Sequence, residues 1–366
     1  MRILNVAGAR PNFMKIAPIM RAFDEAPGFS ASIVHTGQHY DDQMSKVFFD
    51  DLEIPTPSVN LEVGSGERLA QIERIAERFD PVVRRERPDA VLVVGDVNST
   101  VACATVARSH GVAVIHVEAG LRSFDMDMPE EVNRIETDRL SDLLFVTEPS
   151  GMTNLAAEKV PGKAFLVGNV MIDTLVRHLD KARARRVHER LDLEARGFIV
   201  GTFHRPSNVD AKLRLENVVS IVEHAARQRP VVLPLHPRTR ASLTNHGLEA
   251  RLTGNPDIRV VDPLGYLDFV SLIDQACAVV TDSGGIQEET TFLRVPCVTM
   301  RDNTERPITV EVGSNVLAGT EPKEVTAAID DALAGVGKGE VPDLWDGRAA
   351  GRIIEVLMQE CGPMAL

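Results

Sequence analysis

The sequence alternates short apolar runs with longer stretches of helical apolar spacing, and this alternation restricts its fold more than any other feature. Such a pattern predicts parallel strands whose sheet is covered by helices on both faces. The predicted strands of the first series lie at 3–7, 31–35, 90–94, 113–117, 143–147 and 164–167, with helices such as 13–26, 67–87 and 100–109 between them. Those of the second series lie at 198–203, 231–235, 258–261, 278–281 and 297–299.

A charge-rich helical stretch at 170–194 separates the two series, and we interpret it as a solvated connector. The tail at 321–358 predicts two helices around a break rich in glycine and proline. We therefore expect an α/β protein of two doubly wound, Rossmann-like domains with a deep cleft between them. Ligands of such sheets bind at the carboxyl ends of the strands, so polar residues there carry the most functional weight.

Bulk composition excludes several classes of protein. The net charge of −13 argues against nucleic-acid binding, and no apolar run has the roughly 18 residues that a membrane helix needs. The first residues read as a strand and not as a secretory signal. The four cysteines are far apart and form no CxxC pair, which argues against a disulfide framework or a structural zinc site and favours the cytoplasm.

The segment 278–289 predicts a site for a nucleotide. An apolar run ends in Asp282, and Ser283, Gly284 and Gly285 then open a stretch with helical spacing. Backbone N–H groups and the positive end of the helix dipole suit a phosphate at that point, although an ordinary strand-to-helix turn is the alternative. A carboxylate one turn further on, such as Glu289, can reach ribose hydroxyls.

Other polar residues follow predicted strands. Arg10 and Lys15 lie near the start of the first helix, where they suit a diphosphate or a sugar. Asp96, Glu118 and Glu130 follow strands or lie in a loop, and three carboxylates that converge on one crevice suit acid–base chemistry better than helix capping does. His204 and Arg205 follow a strand of the second series, and Arg306 lies in a later loop.

Cofactor motifs are missing from the sequence. The GxG at 64–66 lacks the third glycine of a nicotinamide fingerprint, and there is no P-loop, HExxH or YxxxK. We therefore expect chemistry on a nucleotide-linked group without a bound cofactor or metal.

Six motifs in combination resemble the non-hydrolysing UDP-N-acetylglucosamine 2-epimerases: GARPNFMKIAPI, VVGDVNST, HVEAGLRS, MPEEVNRIETD, DSGGIQEET and RDNTERP. The resemblance implies a glycosyltransferase-B-like architecture. It places an N-terminal domain at 1–170, a helix at about 347–366 that packs back on it, and a UDP-binding domain at 171–346. The implied reaction inverts C2 of UDP-N-acetylglucosamine by elimination and re-addition of UDP through a 2-acetamidoglucal.

The resemblance also implies roles for single residues. Those implied to be catalytic are Asp96, Glu118, Glu130 and His204. Those implied to bind substrate are Arg10, Lys15, Arg134, Arg205, Phe269, Ser283, Gly284, Gly285, Glu289 and Arg306. We expect a UDP-sugar as the partner of a cytoplasmic homodimer.

An effector site in the resembled bacterial enzymes implies a second set of residues, Gln38, His39, Gln43 and His236. The negative charges of Asp41 and Asp42 in this chain predict weak or absent activation by an anionic effector. Alternatives that remain open are a 2-epimerase of another UDP-acetamido sugar, such as a 2,3-diacetamido sugar, and a hydrolysing variant. A glycosyltransferase would not need three acidic residues around C2, and a catalytically silent binding protein would not need to keep every catalytic position.

Overall fold

The computed structural model describes residues 1–37, 49, 51–335 and 339–361, and only the backbone at Arg10 and Cys361. The chain forms two compact units. The N-terminal unit comprises Met1–Arg177 and Asp343–Leu366, and the C-terminal unit comprises His178–Pro342. The unit boundary after Arg177 lies inside a helix that begins at Val170, the residue at which the sequence predicted the domain boundary.

The N-terminal unit is built on a seven-stranded sheet in the order β3-β2-β1-β4-β5-β6-β7, in which every neighbouring pair is parallel. The central strand β4 is buried along its whole length, as expected for a sheet covered on both faces. The strands are β1 (Arg2–Ala7), β2 (Ser30–His35), β3 (Val59–Asn60), β4 (Ala90–Val94), β5 (Ala113–Ala119), β6 (Leu143–Val146) and β7 (Lys163–Leu166).

The helices of this unit follow the strands, and the last one comes from the end of the chain. They are α1 (Arg10–Asp24), α2 (Arg68–Glu86), α3 (Asn98–Ser109), α4 (Pro129–Leu140), α5 (Pro149–Ala157), α6 (Val170–Ala184, which continues into the C-terminal unit) and α16 (Ala349–Cys361). Asp173 of α6 accepts the backbone N–H groups of Ala349 and Ala350 at 3.0 and 2.7 Å, and so caps α16.

The C-terminal unit has a six-stranded parallel sheet in the order β10-β9-β8-β11-β12-β13. Its strands are β8 (Ile199–Thr202), β9 (Val231–Pro234), β10 (Ile258–Val261), β11 (Ala278–Thr281), β12 (Cys297–Thr299) and β13 (Asn315–Leu317). Its helices are α7 (Val187–Arg190), α8 (Pro206–Val209), α9 (Lys212–Gln228), α10 (Pro237–Asn245), α11 (Glu249–Thr253), α12 (Tyr266–Asp274), α13 (Gly284–Leu293), α14 (Ile308–Glu311) and α15 (Pro322–Leu333).

These two sheets confirm the predicted α/β fold class with two doubly wound halves. The prediction missed β3 and β13, because both are edge strands of two or three residues and carry almost no apolar signal. The interpretation of 170–194 as a solvated connector is wrong for its first half. There α6 buries Val170, Ile172 and Leu175, whereas the basic residues after Lys181 are exposed.

Among the described residues, no helix combines the length and the apolar character needed to cross a bilayer.

Candidate active site

Asp96 lies just beyond the carboxyl end of β4, and Glu118 lies at the carboxyl end of the adjacent parallel strand β5. Val94 of β4 pairs with Val117 of β5, and the backbone N–H of Gly95 donates to the carbonyl of Val117 at 3.0 Å. Both residues therefore lie at the edge of the sheet where doubly wound folds bind ligands.

Glu118 lies at an irregularity of its strand. The register with β6 shifts between Val117 and Ala119, and Glu118 has a φ of +71°, in the left-handed region that few non-glycine residues adopt. Such a conformation costs of order 1 kcal/mol, so the surrounding structure must hold it in place. The bulge turns the side chain of Glu118 towards Lys15, and both side chains of this ion pair are buried.

Gly95 makes room for Lys15. A Cβ atom on Gly95 would lie 3.1 Å from Lys15 Nζ, and the φ of +67° at this position also favours glycine. Asn12 shapes the loop between β1 and α1, because its Oδ1 accepts the N–H groups of Gly8 and Ala9 while its Nδ2 donates to the Val94 carbonyl at 3.1 Å. The side chain of Arg10 lies outside the described residues.

Asp96 forms an ion pair with the buried side chain of Arg134. Arg134 is 1% exposed; it bonds Asp96 and also contacts Glu131 Oε2 at 2.5 Å. The side-chain amide of Asn133 donates to the Asp96 carbonyl at 2.9 Å. Arg134, which the resemblance assigned to substrate, therefore contacts two carboxylates of the protein, Asp96 and Glu131.

Glu130 does not lie in a loop, as the sequence analysis expected, but in the first turn of α4, and its side chain is exposed. Its neighbour Glu131 is buried and accepts the backbone N–H groups of Ser123 and Phe124 at 2.9 and 3.0 Å. Asp96 and Glu118 follow or end neighbouring strands, and the convergence of the three carboxylates on one crevice stays a prediction.

The sequence analysis missed a buried pair, His116 and Asp138, that contacts the backbone next to Asp96. His116 Nδ1 lies 2.7 Å from Asp138, and His116 Nε2 lies 2.9 Å from the carbonyl of Gly95. Arg122 Nη1 contacts Asp138 at 2.8 Å. The pair fixes the backbone just before Asp96. No local pattern singles out His116 from its apolar neighbours on β5.

In the C-terminal unit, Ser283, Gly284 and Gly285 form the N-terminus of α13. Ser283 is the N-cap residue; its side chain makes no capping hydrogen bond, and its own backbone N–H donates to Thr281 Oγ1 at 3.0 Å. A Cβ atom on Gly285 would meet nothing within 4 Å, so a side chain has room at this position. A Cβ atom on Gly284, by contrast, would lie 2.8 Å from Glu305 Oε1 and 3.0 Å from Arg306 Nη1. The uncapped N-terminus suits a phosphate.

Arg306 lies beside Gly284 in a buried network of charges. Its Nε contacts Glu288 Oε1 at 2.7 Å and its Nη1 contacts Glu305 Oε1 at 2.7 Å. Glu305 is in turn 2.8 Å from Arg301. These carboxylates fix the guanidinium of Arg306 next to the anion site, so little conformational entropy is lost when it binds a ligand.

Glu289 and Phe269 lie on α13 and α12. Burial, and then the charge of Glu288, raise the pKa of Glu289 to about 8, so its carboxyl is protonated at neutral pH. A protonated carboxyl both donates and accepts hydrogen bonds, which suits ribose hydroxyls. Phe269 is half-buried in the first turn of α12, where part of its ring faces solvent.

His204 and Asp282 follow the neighbouring strands β8 and β11. His204 Nδ1 lies 3.0 Å from Asp282 Oδ1, and Asp282 has no exposed surface. Burial alone would raise the pKa of Asp282, but the hydrogen bond and charge of His204 and the donors Arg205 N–H and Asn208 Nδ2 hold it below its usual range. Arg205 Nε also donates to the Asp282 carbonyl at 2.9 Å. The sequence analysis quoted Asp282 but gave it no role.

The expected effector residues are only partly described. Gln38, His39 and Gln43 lie outside the described residues. The ring of His236 lies 5.6 Å from that of His204 between centroids, and its Nδ1 accepts the backbone N–H of Arg238 at 3.2 Å. Burial, then the charges of His204 and Arg238, lower the pKa of His236, so it is neutral at neutral pH.

Comparison with known proteins identifies the family. Residues 21–358 match the family model described as UDP-N-acetylglucosamine 2-epimerase. The chain belongs to this family. A UDP-2,3-diacetamido-2,3-dideoxy-D-glucuronate 2-epimerase of Pseudomonas aeruginosa is 40% identical over 98% of this chain and 99% of its own length. The resemblance stated from the sequence motifs is therefore confirmed.

Solved structures of epimerases and of a glycosyltransferase share the fold. The UDP-GlcNAc 2-epimerase of Methanocaldococcus jannaschii in complex with UDP-GlcNAc and UDP has a TM-score of 0.91 and 38% identity, covering 98% of this chain and 100% of that one. The UGT2 of Phytolacca americana in complex with UDP-2fluoro-glucose and pterostilbene has a TM-score of 0.56 at 11% identity, covering 99% of this chain and 94% of that one, and shows the fold alone. These likenesses confirm the glycosyltransferase-B-like architecture of the epimerase family member.

Proposed function

We infer that the protein is a UDP-sugar 2-epimerase, an isomerase that interconverts UDP-N-acetylglucosamine and UDP-N-acetylmannosamine. The observation that carries this proposal is the position of Asp96 and Glu118, side by side at the ends of β4 and β5 in a chain of this family. Inversion at C2 requires groups that remove and return a proton, and paired carboxylates can do both. The structure of the archaeal relative with UDP-GlcNAc and UDP supports the same substrate.

Each half of the reaction has candidate groups. A carboxylate of Asp96, Glu118 or Glu130 takes the C2 proton. The electron pair of the C2–H bond then forms the C1–C2 double bond, and the electron pair of the C1–O bond leaves with UDP. UDP then adds back to C1 of the 2-acetamidoglucal, and C2 receives a proton on the opposite face. Ser283, the amides of Gly284 and Gly285, Arg306 and His204 stabilise the negative charge that develops on the diphosphate. Glu289 and Phe269 hold the ribose and the uracil, and Arg10, Lys15, Arg134 and Arg205 complete the proposed set.

A test follows hydrogen exchange at C2. Incubation of the protein with UDP-N-acetylglucosamine in deuterated water is expected to give deuterium at C2 and UDP-N-acetylmannosamine in the NMR spectrum. Accumulation of UDP with free N-acetylmannosamine would identify a hydrolysing enzyme, and an unchanged spectrum would contradict the proposal. The variants Asp96→Asn and Glu118→Gln serve as controls for contaminating activity.

A second candidate substrate is a UDP-2,3-diacetamido sugar. The Pseudomonas relative, named for such a substrate, is 40% identical to this chain, while the archaeal UDP-GlcNAc epimerase is 38% identical. Incubation of both sugars in parallel and comparison of kcat/KM decides between them. Light scattering tests the predicted homodimer. The dependence of the rate on UDP-sugar concentration tests the predicted lack of activation, for which we expect a hyperbolic curve.

A further inference from the structure

Four N–H groups converge on the buried carboxylate of Asp282. Its oxygens accept the backbone N–H of His204 at 3.0 Å, the backbone N–H of Arg205 at 2.9 Å and the Asn208 amide at 3.1 Å, and His204 Nδ1 lies 3.0 Å away. A carboxylate can accept all four bonds, whereas an amide has only one accepting oxygen. Asp282 is therefore fixed in place and is ionised, as its lowered pKa also indicates.

The contact with Asp282 determines which ring nitrogen of His204 carries a proton. An ionised carboxylate only accepts hydrogen bonds, so the proton of the His204–Asp282 bond is on Nδ1. The opposite nitrogen, Nε2, belongs to a ring that is 41% exposed.

We propose that Asp282 is a positioning residue for the reaction, which fixes His204 with Nδ1 protonated and stabilises the imidazolium that donates from Nε2 to the departing diphosphate. This inference rests on the proposed function, in which UDP leaves with the electron pair of the C1–O bond. Asp282 does not touch the sugar or the phosphate in this role and acts only through His204. Its negative charge is most effective when the imidazolium faces the developing charge of the transition state.

A purely structural role for Asp282 predicts different behaviour. In that case the carboxylate only anchors the loop 204–208, and its loss would lower stability without changing the state of the His204 ring. Asn208→Ala is the matched control, because it removes one hydrogen bond to Asp282 and leaves the carboxylate and His204 in place.

The kinetic test is a double-mutant cycle of Asp282→Asn and His204→Gln in the full-length protein. We expect Asp282→Asn to lower kcat by about a hundredfold, within the range of acid–base effects, and to change the Kd for UDP little. In the His204→Gln background the same change is expected to cost less than about threefold, because the partner is already gone. Losses that multiply in the double variant would overturn the proposal.

The second readout does not depend on turnover. In protein labelled with ¹⁵N-histidine, the His204 signals are assigned by their absence in His204→Gln. We expect a protonated Nδ1, in the neutral tautomer or in the imidazolium, in the parent and in Asn208→Ala, and its loss in Asp282→Asn. A parent protein with the proton on Nε2 alone would overturn the proposal even if Asp282→Asn failed to fold. A parent with the expected pattern but no turnover of UDP-sugars would instead contradict the proposed function.

Discussion

Lys15 and Glu118 form an ion pair whose two side chains are both buried in the N-terminal unit. Taking two charges out of water is costly, and their attraction offsets that cost only while both are present. The pair connects the first turns of α1 with the bulge of β5, and its acidic member has a left-handed backbone. This combination of strain and burial at one carboxylate has consequences for stability that can be measured.

Removal of the cation alone is expected to destabilise the protein. Lys15→Met leaves Glu118 buried without this partner, and the free energy of unfolding in urea should fall by about 3 kcal/mol. The exposed pair of Arg108 and Asp142, 2.8 Å apart, provides the control, and Arg108→Ala should cost less than about 1 kcal/mol. Equal losses in the two variants would show that burial does not determine the cost.

Two adjacent carboxylates on α4 are expected to differ in function. Glu130 is exposed, so Glu130→Gln should keep the melting temperature of the parent and lower kcat by about a hundredfold or more. Glu131 accepts N–H groups of Ser123 and Phe124 and is buried, so Glu131→Gln should lower the free energy of unfolding by about 2 kcal/mol. Thermal melts and steady-state kinetics on both variants test this, and near-normal turnover of Glu130→Gln would remove it from the catalytic set.

Adjacent glycines at the start of α13 form a second matched pair. The methyl group of Gly285→Ala has open space, so this variant should fold as the parent does but bind UDP about tenfold more weakly, a loss of about 1.4 kcal/mol. Gly284→Ala pushes against Glu305 and Arg306 and should cost about 1 to 3 kcal/mol of stability. Calorimetric titration with UDP and urea unfolding separate the two effects. Unweakened UDP binding by Gly285→Ala would place the phosphate elsewhere.

The cap of α16 makes stability depend on pH. Burial raises the pKa of Asp173 from 3.8 to about 6, against the effect of the N–H groups of Ala350 and Ala349. Because the folded pKa lies above the unfolded one, the stabilising contribution is complete below about pH 4 and is lost as the pH rises through about 6. Relative to Asp173→Asn, the parent should lose about 3 kcal/mol of unfolding free energy over this interval. Urea unfolding at several pH values tests the sign, and a difference that is constant with pH would contradict it.

Most of the fold could be predicted because its signals are local. The strands 90–94, 258–261, 278–281 and 297–299 agree with the structure at both ends, since each is a short, mostly apolar run. The short edge strands β3 and β13 could not be predicted, because neighbouring strands and not their own composition stabilise them. The interpretation of the first half of 170–194 as solvated was wrong for a related reason. Charged residues further along the same helix dominate the composition of the stretch, so its apolar face was not recognised as buried.

The sequence by itself determined two doubly wound sheets, the family and the carboxyl-end positions of Asp96, Glu118, His204 and Ser283, because strand-end motifs are contiguous in the chain. Only the tertiary structure decided how those side chains are held. Whether Glu130 or Glu131 is buried depends on the loop that packs against α4, and the pairing of His204 with Asp282 depends on β8 lying beside β11. Burial and hydrogen-bond partners are properties of the packed chain, since residues far apart in sequence create them.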